Sequence, residues 1–252
     1  MSKNESQMYV ITHKKLEMKT VKNETLLLVG SFNKNKSDFK GYLMDDSGQN
    51  ISEKNKNYCE LTGLYWIWKN SKKNIIGLEH YRRFFSKNKY YAYFLRKKLT
   101  DRYICKCLKK YDIILPNEVC YNCTNEDYYK EFHIIDDMIK VRTIISSEFP
   151  DYLTSYDKVM HNNKLSLFNM FITSRELLNE YCNWLFKIFE LLEPLITDLN
   201  ERDSYQQRIY GFISERLLNV WVNYKKLKIK HLYVYNSEVK LIDILKKRIR
   251  KK

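Results

Sequence analysis

Glu79, His80, Tyr81, Arg82 and Arg83 follow one another directly after the apolar run Ile75-Ile76-Gly77-Leu78. A carboxylate, an imidazole, a phenol and two guanidiniums in a row can hold and polarise an anionic ligand. Guanidinium is planar, permanently charged and bidentate, so two adjacent arginines suit a phosphate better than a core. The ligand expected here is phosphorylated. The plainer alternative is a strand that runs into a solvated basic turn.

A second group lies between Tyr205 and Trp221. At 100° per residue, Ile209, Phe212, Ile213 and Val220 form an apolar arc, and Arg216 falls inside it. An arginine there needs a partner, because burying a lone charge is costly. Arg208, Glu215 and Asn219 share the neighbouring polar flank. Such a helix presents polar groups at the edge of a crevice, or its Glu/Arg network only positions the helix. Glu60 shares a stripe with Leu64 and Ile67, as a cap near a helix start or as a buried group with a partner. Asn169 sits in the apolar run 167–173, where a buried amide must bond to a ligand or a neighbouring loop. His13 follows the first apolar run, where a nucleotide could dock, although a lone histidine there also fits a structural role.

The elements that must position these groups alternate. Strands are expected at 8–12, 26–30, in the run before Glu79, at 111–116 (closed by Pro116), at 167–173 and near 228–235. Helices are expected at 58–70, near 95–110, over much of 125–158, and at 174–194 and 203–224. Asn57 is read as the N-cap of the first helix, with Glu60 in capping-box position. Asp45 to Asn50 reads as a polar, turn-rich loop. This alternation implies an α/β fold with a mostly parallel sheet, whose strand C-termini form a ligand crevice. One domain over residues 1–252 is expected, with a basic helix or tail at 236–252.

The chain's 252 residues suffice for a full core without disulfide staples. Only 6 Gly and 3 Pro argue against a turn-rich β-sandwich. The net charge of +15 suits nucleic acid, anionic lipid or a phosphate substrate. Part of it is the run Lys246-Lys247-Arg248-Ile249-Arg250-Lys251-Lys252. No nucleic-acid-binding signature accompanies it, which leaves nucleic acid as runner-up. Cys120-x-x-Cys123 has only Cys105-x-Cys107 as a second half, a poor zinc pattern, so reduced thiols in a cytosolic setting are expected. The N-terminus is polar, without a secretory signal, and no apolar run approaches the ~20 residues of a membrane span. P-loop, G-x-G-x-x-G, G-x-S-x-G and H-E-x-x-H patterns are absent from the sequence, which removes support from kinase, dinucleotide-oxidoreductase and serine-hydrolase readings.

Several segments resemble a bacterial family catalogued as domain of unknown function 4422, found among capsular-polysaccharide and lipopolysaccharide biosynthesis proteins. They are Tyr9-Val10-Ile11-Thr12-His13-Lys14, the stretch Asp46 to Asn55, the stretch Tyr58 to Asn70, Gly77-Leu78-Glu79-His80-Tyr81-Arg82-Arg83, Tyr111 to Pro116, Asn169-Met170-Phe171-Ile172 and Gly211 to Leu218. They run in order through nearly the whole chain.

The resemblance implies a nucleotide-sugar-dependent glycosyltransferase with a GT-A-like, Rossmann-type α/β sandwich. Many such enzymes carry an Asp-x-Asp that binds a divalent metal, Mn or Mg, and the diphosphate. Here Glu79-His80-Tyr81-Arg82-Arg83 stands at the corresponding place without an Asp-x-Asp, so either arginines take over the metal's charge or Glu79 and His80 hold a metal. The expected reaction moves a sugar from a UDP-sugar to a hydroxyl of a growing or lipid-linked glycan. Glu215 is the candidate base, with Asp203 as second choice. Arg82, Arg83 and Arg208 would steady the departing diphosphate. His13, Asp46, Asn50, Tyr58, Glu60, His80 and Tyr81 would line the donor pocket, and Asn169 the sugar or acceptor pocket. A cytoplasmic protein is expected, resting on anionic lipid through its basic C-terminus. The alternative is a non-catalytic module: a degenerate transferase fold or a basic nucleic-acid binder.

Overall fold

The computed structural model describes residues 6–16, 21–95 and 97–239. The strands are β1 (Ser6–Thr12), β2 (Glu24–Leu28), β3 (Leu43–Met44), β4 (Ile75–His80), β5 (Arg83–Ser86), β6 (Ile113–Pro116), β7 (Val119–Cys120), β8 (Lys164–Leu165), β9 (Ile172–Ser174) and β10 (Ile229–Asn236). The α-helices are α1 (Asn55–Tyr58), α2 (Leu61–Asn70), α3 (Lys89–Tyr93), α4 (Asp101–Leu108), α5 (Asn125–Phe132), α6 (Ile135–Glu148), α7 (Leu153–Met160), α8 (Arg175–Leu192) and α9 (Ile209–Tyr224). The expected tail at 240–252 lies outside the described residues.

Eight strands form one sheet in the order β3-β2-β1-β4-β5-β10-β6-β9, and β9 also pairs with β4. That last pairing closes β4, β5, β10, β6 and β9 into a ring. The pairs β2–β3, β1–β2, β1–β4 and β6–β10 are parallel. The pairs β4–β5, β5–β10, β6–β9 and β4–β9 are antiparallel. The sheet is thus α/β but mixed, which corrects the expectation of a mostly parallel sheet. The reason is local: β4 turns back through Tyr81-Arg82 into β5, and β9 enters between β4 and β6 from the opposite direction.

β1 is flanked on both sides by parallel neighbours, and Met8, Tyr9, Val10 and Ile11 are all buried. A strand covered on both faces reads as a continuous apolar run, which is why it was legible. One face of the sheet packs on α2, α6, α8 and α9, and the other carries a smaller core of Met8, Ile75, Phe85, Leu99, Ile104, Ile114 and Leu232. On α8 the buried positions Leu178, Tyr181, Cys182, Leu185, Ile188, Phe189 and Leu192 recur at helical spacing, and Ser174 caps the first turn by accepting from the Leu177 amide. α9 is buried on most sides, as a central core helix must be.

Two expected elements are broken where the site forms. The 58–70 helix is interrupted at Cys59, whose φ is 52°, and α2 starts only at Leu61. Asn57 does not cap it: its amide donates to the Gln207 carbonyl. The expected strand 167–173 shrinks to β9, because Phe168 (φ 77°) and Asn169 (φ 50°) both adopt left-handed backbone. Among the described residues no helix is long and apolar enough to cross a membrane.

Candidate active site

β1 and β4 are parallel, so their C-terminal ends lie side by side, and a cavity of about 770 Å³ opens there. Ile11, Thr12 and His13 reach it from β1, and His80, Tyr81, Arg82 and Arg83 from the β4–β5 turn. Cys59 and Glu60 enter at the start of α2, Leu167 and Phe168 from the left-handed loop, and Arg208, Gly211, Phe212, Glu215 and Arg216 at and along α9. This is the place where open α/β sheets bind ligands.

The left-handed loop is the frame of the site. Glu215 Oε1 accepts the Phe168 amide at 2.8 Å. His80 Nε2 meets the Phe168 carbonyl at 2.6 Å. A carbonyl only accepts, so Nε2 carries the proton; burial lowers the His80 pKa, against the opposing pull of Glu60. Asn169 Nδ2 donates to Glu60 Oε1 at 2.6 Å and to the Gly211 carbonyl at 3.1 Å. Asn219 clamps the same loop from α9 through both Ser166 backbone groups. Non-glycine residues at positive φ cost about 1–3 kcal/mol each, and persist only where such contacts over-determine them.

Charge is concentrated on the walls. Arg83 lies over the Phe168 ring at 4.3 Å. Arg82 Nη1 pairs with Glu238 at 2.9 Å. Arg208 Nε donates to the Cys59 sulfur at 3.3 Å. Arg216 is buried; its Nη1 donates to the Phe212 carbonyl at 2.9 Å and to Glu215 Oε2 at 3.3 Å. Burial raises the Glu215 pKa, opposed by the Arg216 charge. Burial, with help from Lys34, Lys14, Arg82 and Arg208, lowers that of His13. Among the described residues, Arg82 Nε, His133 Nδ1, Asn169 Oδ1 and Arg216 Nε are buried without a hydrogen-bond partner, all at this cavity or directly behind its wall.

His13, Glu60, His80, Tyr81, Arg82, Arg83, Arg208 and Glu215 are therefore brought together in one cavity. Asn169 stands behind it, bonded to Glu60. Asp46, Asn50, Tyr58 and Asp203 do not line it. Asp46 pairs with Lys36 at 2.5 Å. Asn50 ties its own turn through Gly48 and Ser52. Tyr58 stacks on Tyr210 at 4.2 Å and donates to Glu193. Asp203 is exposed and accepts the Tyr205 and Gln206 amides ahead of α9. The cavity also holds Cys59, Tyr121, Tyr128, His133 and Tyr205, which sequence reading passed over, and Phe212, which it placed in the apolar arc. The i, i+4 spacing of Tyr128 and Phe132 on a short polar helix was the available signal.

Asp45 and Glu79 do not fit a metal. Asp45 is fully buried, and its two oxygens already accept from the Gly30 and Ser31 amides and from the hydroxyls of Ser31, Ser52 and Thr62. Gly30 itself holds φ 60° against Asn55, a conformation and a closeness that exclude a Cβ. Glu79 accepts the Phe85 amide, and burial pushes its pKa up to about 8. Among the described residues no three His, Cys, Asp or Glu side chains could share an ion.

The mixed α/β fold is similar to that of a solved glycosyltransferase. The apo structure of WbbM, a bifunctional glycosyltransferase, superposes with a TM-score of 0.83 and 27% identity, covering 94% of this chain and 46% of that one. The chain thus spans about half the length of that protein. Residues 7–226 match the model of the family described as domain of unknown function (DUF4422), and the chain belongs to that family. No curated protein matches it.

Proposed function

We propose that this chain is a GT-A-type glycosyltransferase that moves a sugar from a nucleotide diphosphate sugar, with UDP as the expected nucleotide, to a hydroxyl of a growing bacterial surface glycan of the capsular or lipopolysaccharide kind. The observation that carries this reading is the convergence of Arg82, Arg83, Arg208 and Arg216 with Glu60 and Glu215 in one cavity at the ends of β1 and β4. Similarity to a glycosyltransferase structure supports it.

In this reading the acceptor oxygen attacks the anomeric carbon as the bond from that carbon to the diphosphate breaks. The electron pair leaves with the diphosphate, and the guanidiniums stabilise the charge that develops there. The acceptor proton passes to Glu215. A base is most effective when its pKa approaches the working pH, and burial moves Glu215 in that direction. Glu215 is preferred to Asp203 because it faces the cavity. His13, Glu60, His80 and Tyr81 shape the donor pocket. Asn169 acts from behind by fixing Glu60.

The acceptor is read as lipid-linked, with the protein resting on the inner face of the cell membrane through residues 246–252, which lie outside the described residues. Near an anionic surface each basic residue contributes ~1 kcal/mol. Removing residues 246–252 should release the protein from phosphatidylglycerol vesicles; equal binding with and without the tail would remove this role.

A thermal-shift screen against UDP-, GDP-, dTDP- and CMP-sugars tests the donor reading, since a ligand that binds only the native state raises its melting temperature. At least one UDP-sugar should shift it and release UDP on incubation. A protein indifferent to every sugar nucleotide would contradict the proposal.

A further inference from the structure

One stretch of the cavity lining is aromatic. Tyr121 and Tyr128 stack at 3.9 Å, and Phe132 follows Tyr128 at 4.7 Å. Across the mouth, the His133 ring lies 4.1 Å from Phe212 and 5.7 Å from Tyr205. Tyr121, Tyr128, His133, Tyr205 and Phe212 all line the cavity, while Phe132 continues the row outward. Phe132 is 44% and Tyr205 49% exposed, although large apolar rings are ordinarily covered.

We propose that this aromatic shelf is the acceptor subsite and takes a sugar ring of a glycan chain. The inference rests on the transferase reading and follows from the base. The acceptor hydroxyl must lie against Glu215, so the surface adjoining Glu215 receives the rest of the acceptor. Phe212 lies on α9 one turn before Glu215 and Arg216, which makes the shelf continuous with that wall. A pyranose or furanose ring offers C–H groups on one face and hydroxyls at its edge. The C–H face packs on an aromatic ring, and the edge needs a few polar groups. His133 supplies one: its Nδ1 is buried and has no partner among the described residues. Burial and the nearby Arg216 push its pKa down to about 4, so it meets a hydroxyl as a neutral ring.

The competing occupant is the nucleobase of the donor, which also stacks on aromatic rings. The two are separated by testing the full chain with Tyr128→Ala, Tyr205→Ala and the conservative Tyr128→Phe and Tyr205→Phe. Each is applied, with saturating UDP, to a printed array of bacterial polysaccharides and oligosaccharides. The UDP-induced thermal shift is read in parallel. The alanine variants should lose tenfold or more in retention on the glycans that wild type binds, the phenylalanine variants should keep it, and all four should keep the UDP shift. Glycan retention unchanged in both alanine variants would overturn the proposal. So would wild-type protein that retains no glycan on the array. A UDP shift lost in Tyr128→Ala or Tyr205→Ala would give the shelf to the nucleobase instead. Failure of the transferase reading is distinct: wild type would then show no shift with any sugar nucleotide.

Discussion

Glu215 and Phe168 are joined across the cavity wall: one oxygen of the carboxylate accepts the Phe168 amide at 2.8 Å, and Phe168 stands at φ 77°. The candidate base therefore holds a strained backbone in place, and the backbone in turn fixes the base. The other oxygen faces Arg216, which leaves Glu215 oriented and partly open to the cavity.

Replacing Glu215 with Gln keeps an oxygen for the Phe168 amide and removes the base. Turnover should fall ~10²–10⁴-fold, the usual worth of general base catalysis, and the melting temperature should fall as well, because buried Arg216 loses its counter-charge. Because burial raises the Glu215 pKa, kcat/KM should rise with pH through a limb above the ~4.3 of an ordinary glutamate. Near-normal turnover in Glu215→Gln would pass the role to Glu60, the other carboxylate that lines the cavity.

Arg216→Ala should cost about 3 kcal/mol in urea unfolding, the low end for breaking a buried ion pair, since Glu215 keeps the Phe168 amide. Arg216→Lys should not restore it, because an ammonium cannot reproduce the planar fork over the Tyr129 ring and against the Phe212 carbonyl. Unchanged unfolding in Arg216→Ala would show that the buried pairing contributes nothing.

Asn169 separates backbone from side-chain effects. Both Asn169→Ala and Asn169→Gly remove the amide that holds Glu60, so both should lower donor affinity alike. Alanine should be less stable than glycine by ~1 kcal/mol, because only glycine occupies φ 50° without penalty. Equal stability of the two would mean the loop relaxes once the amide is gone.

Glu79 makes a pH prediction away from the chemistry. Burial, with repulsion from Glu24, raises its pKa to about 8, against partial relief from the Phe85 amide and Lys98. The folded state then holds a proton that the unfolded chain releases near ~4.3. The stability this contributes is complete below that value and is lost as pH rises toward 8. Urea unfolding at intervals from pH 5 to 8 should show Glu79→Gln gaining on wild type throughout. Parallel curves would place the ionised carboxylate in the folded protein.

How much of this was legible follows from the range of the interactions. β1 and the Glu79–Arg83 motif could be read because a doubly covered parallel strand is a continuous apolar run that ends where its polar side chains begin. Arg216 could be read as buried from its place in the apolar arc of α9. The closed ring could not: β5 and β10 pair residues about 150 positions apart, Asn236 with Arg83, and no local pattern encodes that register. Cys59 and Phe168 were misread because they lie inside runs with helical or strand periodicity, and Asn169 because its apolar neighbours outweighed its own tolerance of left-handed backbone. Contacts from Glu215, His80 and Glu60 override these local patterns. Of the two readings of Glu60, the partnered one holds: it makes no side-chain cap bond and accepts from Asn169.

The most direct measurement is calorimetric titration of UDP and UDP-sugars into wild type, Arg82→Ala and Arg83→Ala. Wild type should bind with saturation. Each variant should lose ~1.5–3 kcal/mol, about ten- to a hundredfold in affinity, as a charged hydrogen bond to the diphosphate is removed. Wild type that binds no nucleotide diphosphate, or folded variants that bind it as tightly as wild type, would contradict the account.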